Sequence, residues 1–277
     1  MQLLQRFFNF YINSSIHVAF AVVSLTYITY IQFGITYNQN LLFFIFFAAI
    51  TGYNFVKYFG VAKFHHRSLA DWLKAIQVFS LISFLAMCYY AMQLHVNSLF
   101  VLSFLGLINF LYAIPLLPMR FFRDQQKNLR QISGLKIYLI ALVWSVTTVF
   151  LPLIEDGVLV NADALILGSQ RFLLVIVLML PFEIRDLNYD SLKLATIPQK
   201  IGVKNTKVIG VLLLMLFFIM DYFKNELSGN SILSTLMMMS ITLIFLICSH
   251  KKQSKYYSAF WVESIPIIWL LVLLMLR

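Results

Sequence analysis

The chain alternates between long uninterrupted apolar runs and short polar joints. About 20 consecutive apolar residues are needed to cross the hydrocarbon core as a helix, and nine segments reach that length, at about 15–33, 40–60, 73–93, 98–118, 135–154, 163–183, 207–224, 230–249 and 256–276. Their continuity argues against a membrane barrel, whose strands would be shorter and alternate in polarity. The expected fold class is therefore all-α, an integral membrane bundle of nine transmembrane helices. Ahead of the first run, MQLLQRFFNFYINSS carries one basic residue and no small-residue cleavage signal. It reads as a short amphipathic segment lying in the membrane interface.

Composition strengthens this picture. Of 277 residues, 61% are hydrophobic and 12% charged, whereas a soluble domain carries about 25% charged residues. The mean hydropathy is +0.85. The net charge of +10 needs no nucleic-acid partner, because basic loops fix orientation and face anionic lipid. With a cytoplasmic N-terminus, 18 of the 21 Lys and Arg fall on the cytoplasmic side, and only Arg171, Lys224 and Arg277 do not. The outer loops are neutral or carry Glu155, Asp156 and Asp163. This asymmetry supports nine spans ending outside, and an eight-span arrangement would scramble it. Cys88 and Cys248 lie inside apolar runs and read as packing residues. The chain reads as one membrane domain over 1–277. The second and sixth spans both end in polar residues followed by a basic loop, which suggests two related halves, helices 1–4 and 5–8, plus helix 9.

The sixth span runs into FEIRDLNYDSLKLATIPQKIG, residues 182–202, with three carboxylates, Glu183, Asp186 and Asp190. At about 100° per residue these fall within about 80° of one another on one helical face. Unpaired, they would repel and resist desolvation. A hard divalent cation removes that penalty, and Mg²⁺ prefers a few carboxylates plus waters and substrate phosphates. The alternative is pairing with Arg185 or Lys193, but the spacing places Arg185 on a different side. Thr196 and Pro198 are expected to stop the helix.

The pattern ExxDLxxDxxxxATIPxxIG resembles the second Asp-rich motif of the UbiA superfamily of intramembrane prenyltransferases. Glu183, Asp186 and Asp190 match its acids, the first conservatively, and Thr196, Pro198 and Gly202 match its tail. The resemblance implies a nine-helix fold with a cytoplasmic N-terminus, in agreement with the charge pattern. It also implies a prenyl diphosphate donor, a small acceptor, and Mg²⁺ on Glu183, Asp186 and Asp190. Tyr112, followed by Arg120, Arg123, Arg130 and Lys136, is similar to the family's loop after the fourth helix. By resemblance, Tyr112, Arg123, Arg130 and Lys136 are substrate contacts.

The family's first motif, NxxxDxxxD on the second helix, is broken. Asn54 stands in place, but its two aspartates fall at Tyr58 and Ala62, and Lys57 follows one turn on. Two readings follow. In one, a diphosphate binds through one Mg²⁺ and not two, with Lys57 replacing the lost cation, helped by Lys63, His65, His66 or Arg67. Asp186, Asp190 and Lys57 are then the catalytic group, and Asn54 and Lys57 contact substrate. In the other, Lys57 forms a salt bridge to the surviving acids, and the protein is a non-catalytic relative that binds isoprenoid lipid.

Weaker signals remain. The 27 Phe and 14 Tyr suit an isoprenoid wall or simple bundle packing. Glu263, in WVESIP, is an isolated acid near the inner end of the last span, either functional or paired with Lys255. Pro266 is expected to kink that helix. An intramembrane Glu and Lys also suit a transporter, but the polar residues crowd the cytoplasmic edge instead of the midplane. The favoured function is transfer of a prenyl group from a polyprenyl diphosphate to a small acceptor in the membrane.

Overall fold

The computed structural model describes residues 2–58, 71–113, 134–187, 195–225 and 229–277. The described residues are helical, with no strand among them. An amphipathic helix, α1 (Gln2–Asn13), precedes α2 (Ile16–Phe33), α3 (Gln39–Tyr58), α4 (Asp71–Ala91) and α5 (Val96–Ala113). A composite rod follows, made of α6 (Leu135–Ser145), a π-helical segment (Val146–Phe150) and α7 (Leu151–Glu155). Then come α8 (Ala162–Asp186), α9 (Ile197–Asp221) and α10 (Gly229–Cys248). A second π segment (Tyr257–Val262) leads into α11 (Ile265–Met275). Among the described residues, eight of these rods are long and apolar enough to cross a membrane, and α5 is a shorter apolar helix. The chain is an all-α integral membrane bundle, and the boundaries fall close to those expected.

In lipid every backbone group must be satisfied inside the protein, so each break in a rod needs a local reason. Pro152 lacks the N–H that would bond the carbonyl of Thr148 four residues earlier. That carbonyl accepts from Thr29 Oγ1 of α2 at 2.7 Å instead. The π segment therefore locks α6 and α7 onto α2. Pro266 sits in the first turn of α11 directly after the second π segment. It begins a helix, which proline tolerates, instead of kinking one in its interior.

Thr196 and Pro198 likewise start α9 and do not end α8. Thr196 is the N-cap, Pro198 lies in the first turn, and the Gln199 side chain accepts from the Thr196 N–H at 2.9 Å. The described part of α8 ends at Asp186. Within α9, Gly202 adopts φ 79°, a conformation glycine reaches without a Cβ penalty. The spanning part of α9 thus begins at Val203, after a short capped turn.

Packing between the rods follows membrane rules, where close contact replaces the hydrophobic drive of water. Gly168 of α8 lets the Phe150 ring approach, since a Cβ there would lie 2.5 Å from the ring. Leu25, Leu41, Ile45, Ile137, Leu174 and Leu180 are fully buried in one shared core. Arg171 is buried with them. One nitrogen, Nη2, donates to Leu25 O at 3.2 Å, and the guanidinium lies over the Trp269 ring at 5.2 Å. Its Nε and Nη1 have no hydrogen-bond partner.

The two ends of the bundle differ in charge. One end gathers Ser15, Lys57, Arg185, Lys207 and the turn after α10, tied by bonds such as Lys207 Nζ to Ile247 O at 2.7 Å and Gln253 Nε2 to Pro181 O at 2.8 Å. The other gathers acids: Glu155 accepts from Asn38 Nδ2 at 3.3 Å and from His95 N–H at 3.1 Å, and Asp163 accepts from Asn225 Nδ2 at 3.1 Å.

Candidate functional site

The basic end holds the sequence-predicted residues, on two helix ends that both come within electrostatic reach of Glu263. The first is the end of α3. The joint between α1 and α2 places Ser15 at φ 65°, a left-handed conformation that costs a non-glycine residue about 1 kcal/mol. Asn54 and Lys57 hold it. Ser15 Oγ donates to Asn54 Oδ1 at 2.8 Å and accepts from Lys57 Nζ at 2.8 Å. Asn54 Nδ2 donates to Ser14 O at 3.0 Å and to Ser80 Oγ at 2.8 Å. Both amide hydrogens of Asn54 are thereby engaged, and the residue is buried. Its position is that of a brace for Lys57, and any contact with substrate would fall to its carbonyl oxygen.

The second is the end of α8. Glu183 is buried, and its Oε2 accepts from the Ile197 N–H at 3.3 Å. The carboxylate thus sits at the N-terminus of α9, where the helix dipole favours negative charge. Asp186 forms a bidentate pair with Arg185, at 2.7 Å from Nε and 3.1 Å from Nη2. The expectation that Arg185 points away from the acids is therefore corrected. Its guanidinium folds back over the Phe182 ring, 5.3 Å from the centroid, and reaches its sequence neighbour from there. Asp190, Arg123, Arg130, Lys63, His65, His66, Arg67 and Lys193 lie outside the described residues.

Other elements close the site. Tyr53 of α3 accepts from Trp144 Nε1 of α6 at 2.8 Å, and buried Tyr112 of α5 lies within electrostatic reach of Tyr53. Lys136, on the first turn of α6, is partly exposed. Glu263 lies in the turn between the second π segment and α11, where its N–H bonds Ser258 O five residues back at 3.2 Å. It interacts electrostatically with Lys57 and Arg185. Lys255, the alternative partner considered for Glu263, lies over the Tyr256 ring at 5.6 Å. Tyr11 of α1 is close enough that the Glu263 charge adds to burial in pushing its phenol upward.

His17 fixes this corner. Its Nε2 meets Phe260 O at 2.9 Å. A carbonyl only accepts, so Nε2 carries the proton, and Nδ1 accepts from Tyr11 OH at 2.8 Å. Sequence reasoning missed this brace and the serines around Asn54. The Ser14–Ser15 pair ahead of the first apolar run was the available signal.

This end of the bundle therefore carries Lys57 and Arg185 together with Glu183, Asp186 and Glu263. The donor set fits a hard divalent cation in kind, since it offers carboxylate oxygens at a polar opening. For Asp186 to serve as a ligand, Arg185 must yield its place. Among the described residues no three His, Cys, Asp or Glu side chains converge.

No protein-family model matches the sequence, and no curated protein matches it. Solved structures do. A UbiA homolog from Aeropyrum pernix K1 superposes with a TM-score of 0.65 at 13% identity, over 94% of this chain and 98% of that one. A structure described as giving structural and mechanistic insights into the biosynthesis of digeranylgeranylglyceryl phosphate synthase in membranes superposes with a TM-score of 0.57 at 15% identity, over 100% and 97%. This chain shares its fold with these structures, one of them a UbiA homolog.

Proposed function

We propose that this protein ionises a polyprenyl diphosphate at its basic end and transfers the prenyl group to a small acceptor in the membrane. The observation that carries this reading is a charge arrangement at one end of the bundle: α8 presents Glu183 and Asp186, α3 presents Lys57 braced by Ser15 and Asn54, and Glu263 lies within electrostatic reach of both Lys57 and Arg185. The diphosphate would lie between them. Glu183, Asp186 and Asp190 would hold Mg²⁺, which when bound neutralises phosphate oxygens and so favours departure of the diphosphate. Lys57 would supply the remaining positive charge as a fixed ammonium. Glu263 balances Lys57 and Arg185 before substrate enters. As the bond between the prenyl C1 and the diphosphate oxygen breaks, its electron pair leaves with the diphosphate. C1 then bonds to the acceptor, which loses a proton. The aromatic wall of Tyr53, Tyr112 and Trp144 shelters the allylic cation. The similarity of the fold to a UbiA homolog supports this reading.

The polarity of the bundle supports an N-terminus on the cytoplasmic side and a C-terminus outside. One observation favours the non-catalytic alternative: the bidentate Arg185–Asp186 pair is an arrangement that a metal-free, lipid-binding relative would keep. The two readings separate in one experiment. The purified protein is given geranylgeranyl diphosphate and Mg²⁺, and inorganic diphosphate release is measured beside Asp186→Asn. The enzyme reading expects metal-dependent release that the variant loses. An absence of release and of binding with any prenyl diphosphate would overturn it.

A further inference from the structure

Beyond the candidate site, the bundle carries a second basic feature on its outer surface. A groove of about 320 Å³ runs between α9 and α10, lined by Lys204, Lys207, Val208, Val211, Leu212 and Ile247. Its floor and walls are apolar, and its two lysines stand at one end. From Lys204 to Leu212 the groove descends about 12 Å along α9, at 1.5 Å per residue. That is most of one leaflet of a hydrocarbon core about 30 Å thick.

The positive charge at its mouth has three sources. The turn at Gly202 makes Val203 the start of the spanning helix, so the partial positive charge of a long helix N-terminus lies beside Lys204. Lys204 is exposed. Lys207 is held in place by its bond to Ile247 O at 2.7 Å. Behind them, Lys200, Lys251 and Lys252 are exposed at the same end. The sequence adds no acid on these elements, with no Asp or Glu from 191 to 220 or from 227 to 262.

A charged mouth above an apolar groove matches an amphiphile with an anionic head and a hydrocarbon tail. The groove shares no lining residue with the candidate site at Lys57, Glu183, Asp186 and Glu263. We infer that the α9–α10 groove is a binding site for one anionic phospholipid, with its phosphate at Lys204 and Lys207 and an acyl chain along Val208, Val211, Leu212 and Ile247. The site is independent of prenyl transfer and would tie the α9–α10 pair to the leaflet bearing negative charge.

Native mass spectrometry of the protein from mixed micelles with equal phosphatidylglycerol and phosphatidylcholine tests this. Retention of one phosphatidylglycerol in preference to phosphatidylcholine is expected. Lys204→Glu should lower that occupancy about fivefold or more, the change expected for one lysine near an anionic headgroup. Lys204 makes no bond that folding depends on, and Lys207 is left intact for the opposite reason. Leu212→Trp, which fills the groove from its rim, should lower occupancy without changing any charge. Equal retention of the two lipids, or retention indifferent to both variants, would overturn the site. Displacement of the lipid by millimolar inorganic phosphate would also overturn it, because the groove would then contribute nothing.

Discussion

The ends of α3 and α8 lie at the same end of the bundle and carry opposite charge. The α8 end keeps its carboxylates and seats one of them, Glu183, on the N-terminus of α9. The α3 end keeps only Asn54, and its amide is engaged by Ser14, Ser15 and Ser80. Lys57 occupies the next turn. On the proposed reading, the comparison teaches that an anion site can be built from one metal-type helix end and one ammonium-type helix end. A lysine needs no second ion, but it needs a brace, and Ser15 in its left-handed conformation supplies one.

The largest effect should come from the α8 half. Asp186→Asn removes a carboxylate and frees Arg185, and binding of geranylgeranyl diphosphate in Mg²⁺ should weaken by about 100-fold or more. Equilibrium binding in detergent checks this, and an unchanged affinity would place the metal elsewhere. Lys57→Met comes next. It removes a charge-assisted contact of about 1.5–3 kcal/mol, so affinity should fall by about 10- to 100-fold with the Mg²⁺ dependence retained. Lys57→Asp sharpens the comparison, because it makes the two halves alike and should steepen the dependence on Mg²⁺ concentration.

Asn54→Ala acts on the brace. It removes the bonds of this amide with Ser14 O, Ser15 Oγ and Ser80 Oγ, and thermal unfolding should show a loss of about 1–3 kcal/mol. A variant as stable as the parent would mean that the α1–α2 joint does not need this amide. The smallest effect is expected away from both ends. Arg171 is buried with two unpartnered nitrogens, and replacing such a charge with an apolar side chain of similar volume is often neutral or stabilising. Arg171→Met should leave the thermal midpoint unchanged or raise it. A marked fall would reveal a counter-charge or ordered water in the bundle.

The rods were legible in the sequence because membrane helices announce themselves by length and apolarity alone. α2, α3, α8 and α10 begin and end near their expected positions for that reason. The misreadings lie at the joints. Thr196 and Pro198 punctuate a helix at either side, and only the Gln199 bond decides that they open α9. Pro266 was expected to kink a helix and instead opens α11, because the π segment before it absorbs the break. The charged residues of the candidate site, Glu183, Asp186 and Lys57, were legible from the sequence, and the structure places them at one end of the bundle. The pairing of Arg185 with Asp186 was not, since helical angles place the two Cβ atoms and say nothing of a long side chain folding back over Phe182. The approach of Glu263 to Lys57 joins residues over 200 positions apart, a contact that one sequence does not encode locally.

The central claim is that α3 and α8 hold one diphosphate between them. Its most direct measurement is saturable binding of geranylgeranyl diphosphate to the purified protein, with and without Mg²⁺, in the parent, Asp190→Asn and Lys57→Met. The account predicts metal-dependent binding in the parent, its loss in Asp190→Asn, and weaker but still metal-dependent binding in Lys57→Met. Binding that survives both substitutions, or none in the parent with any prenyl diphosphate, would contradict it.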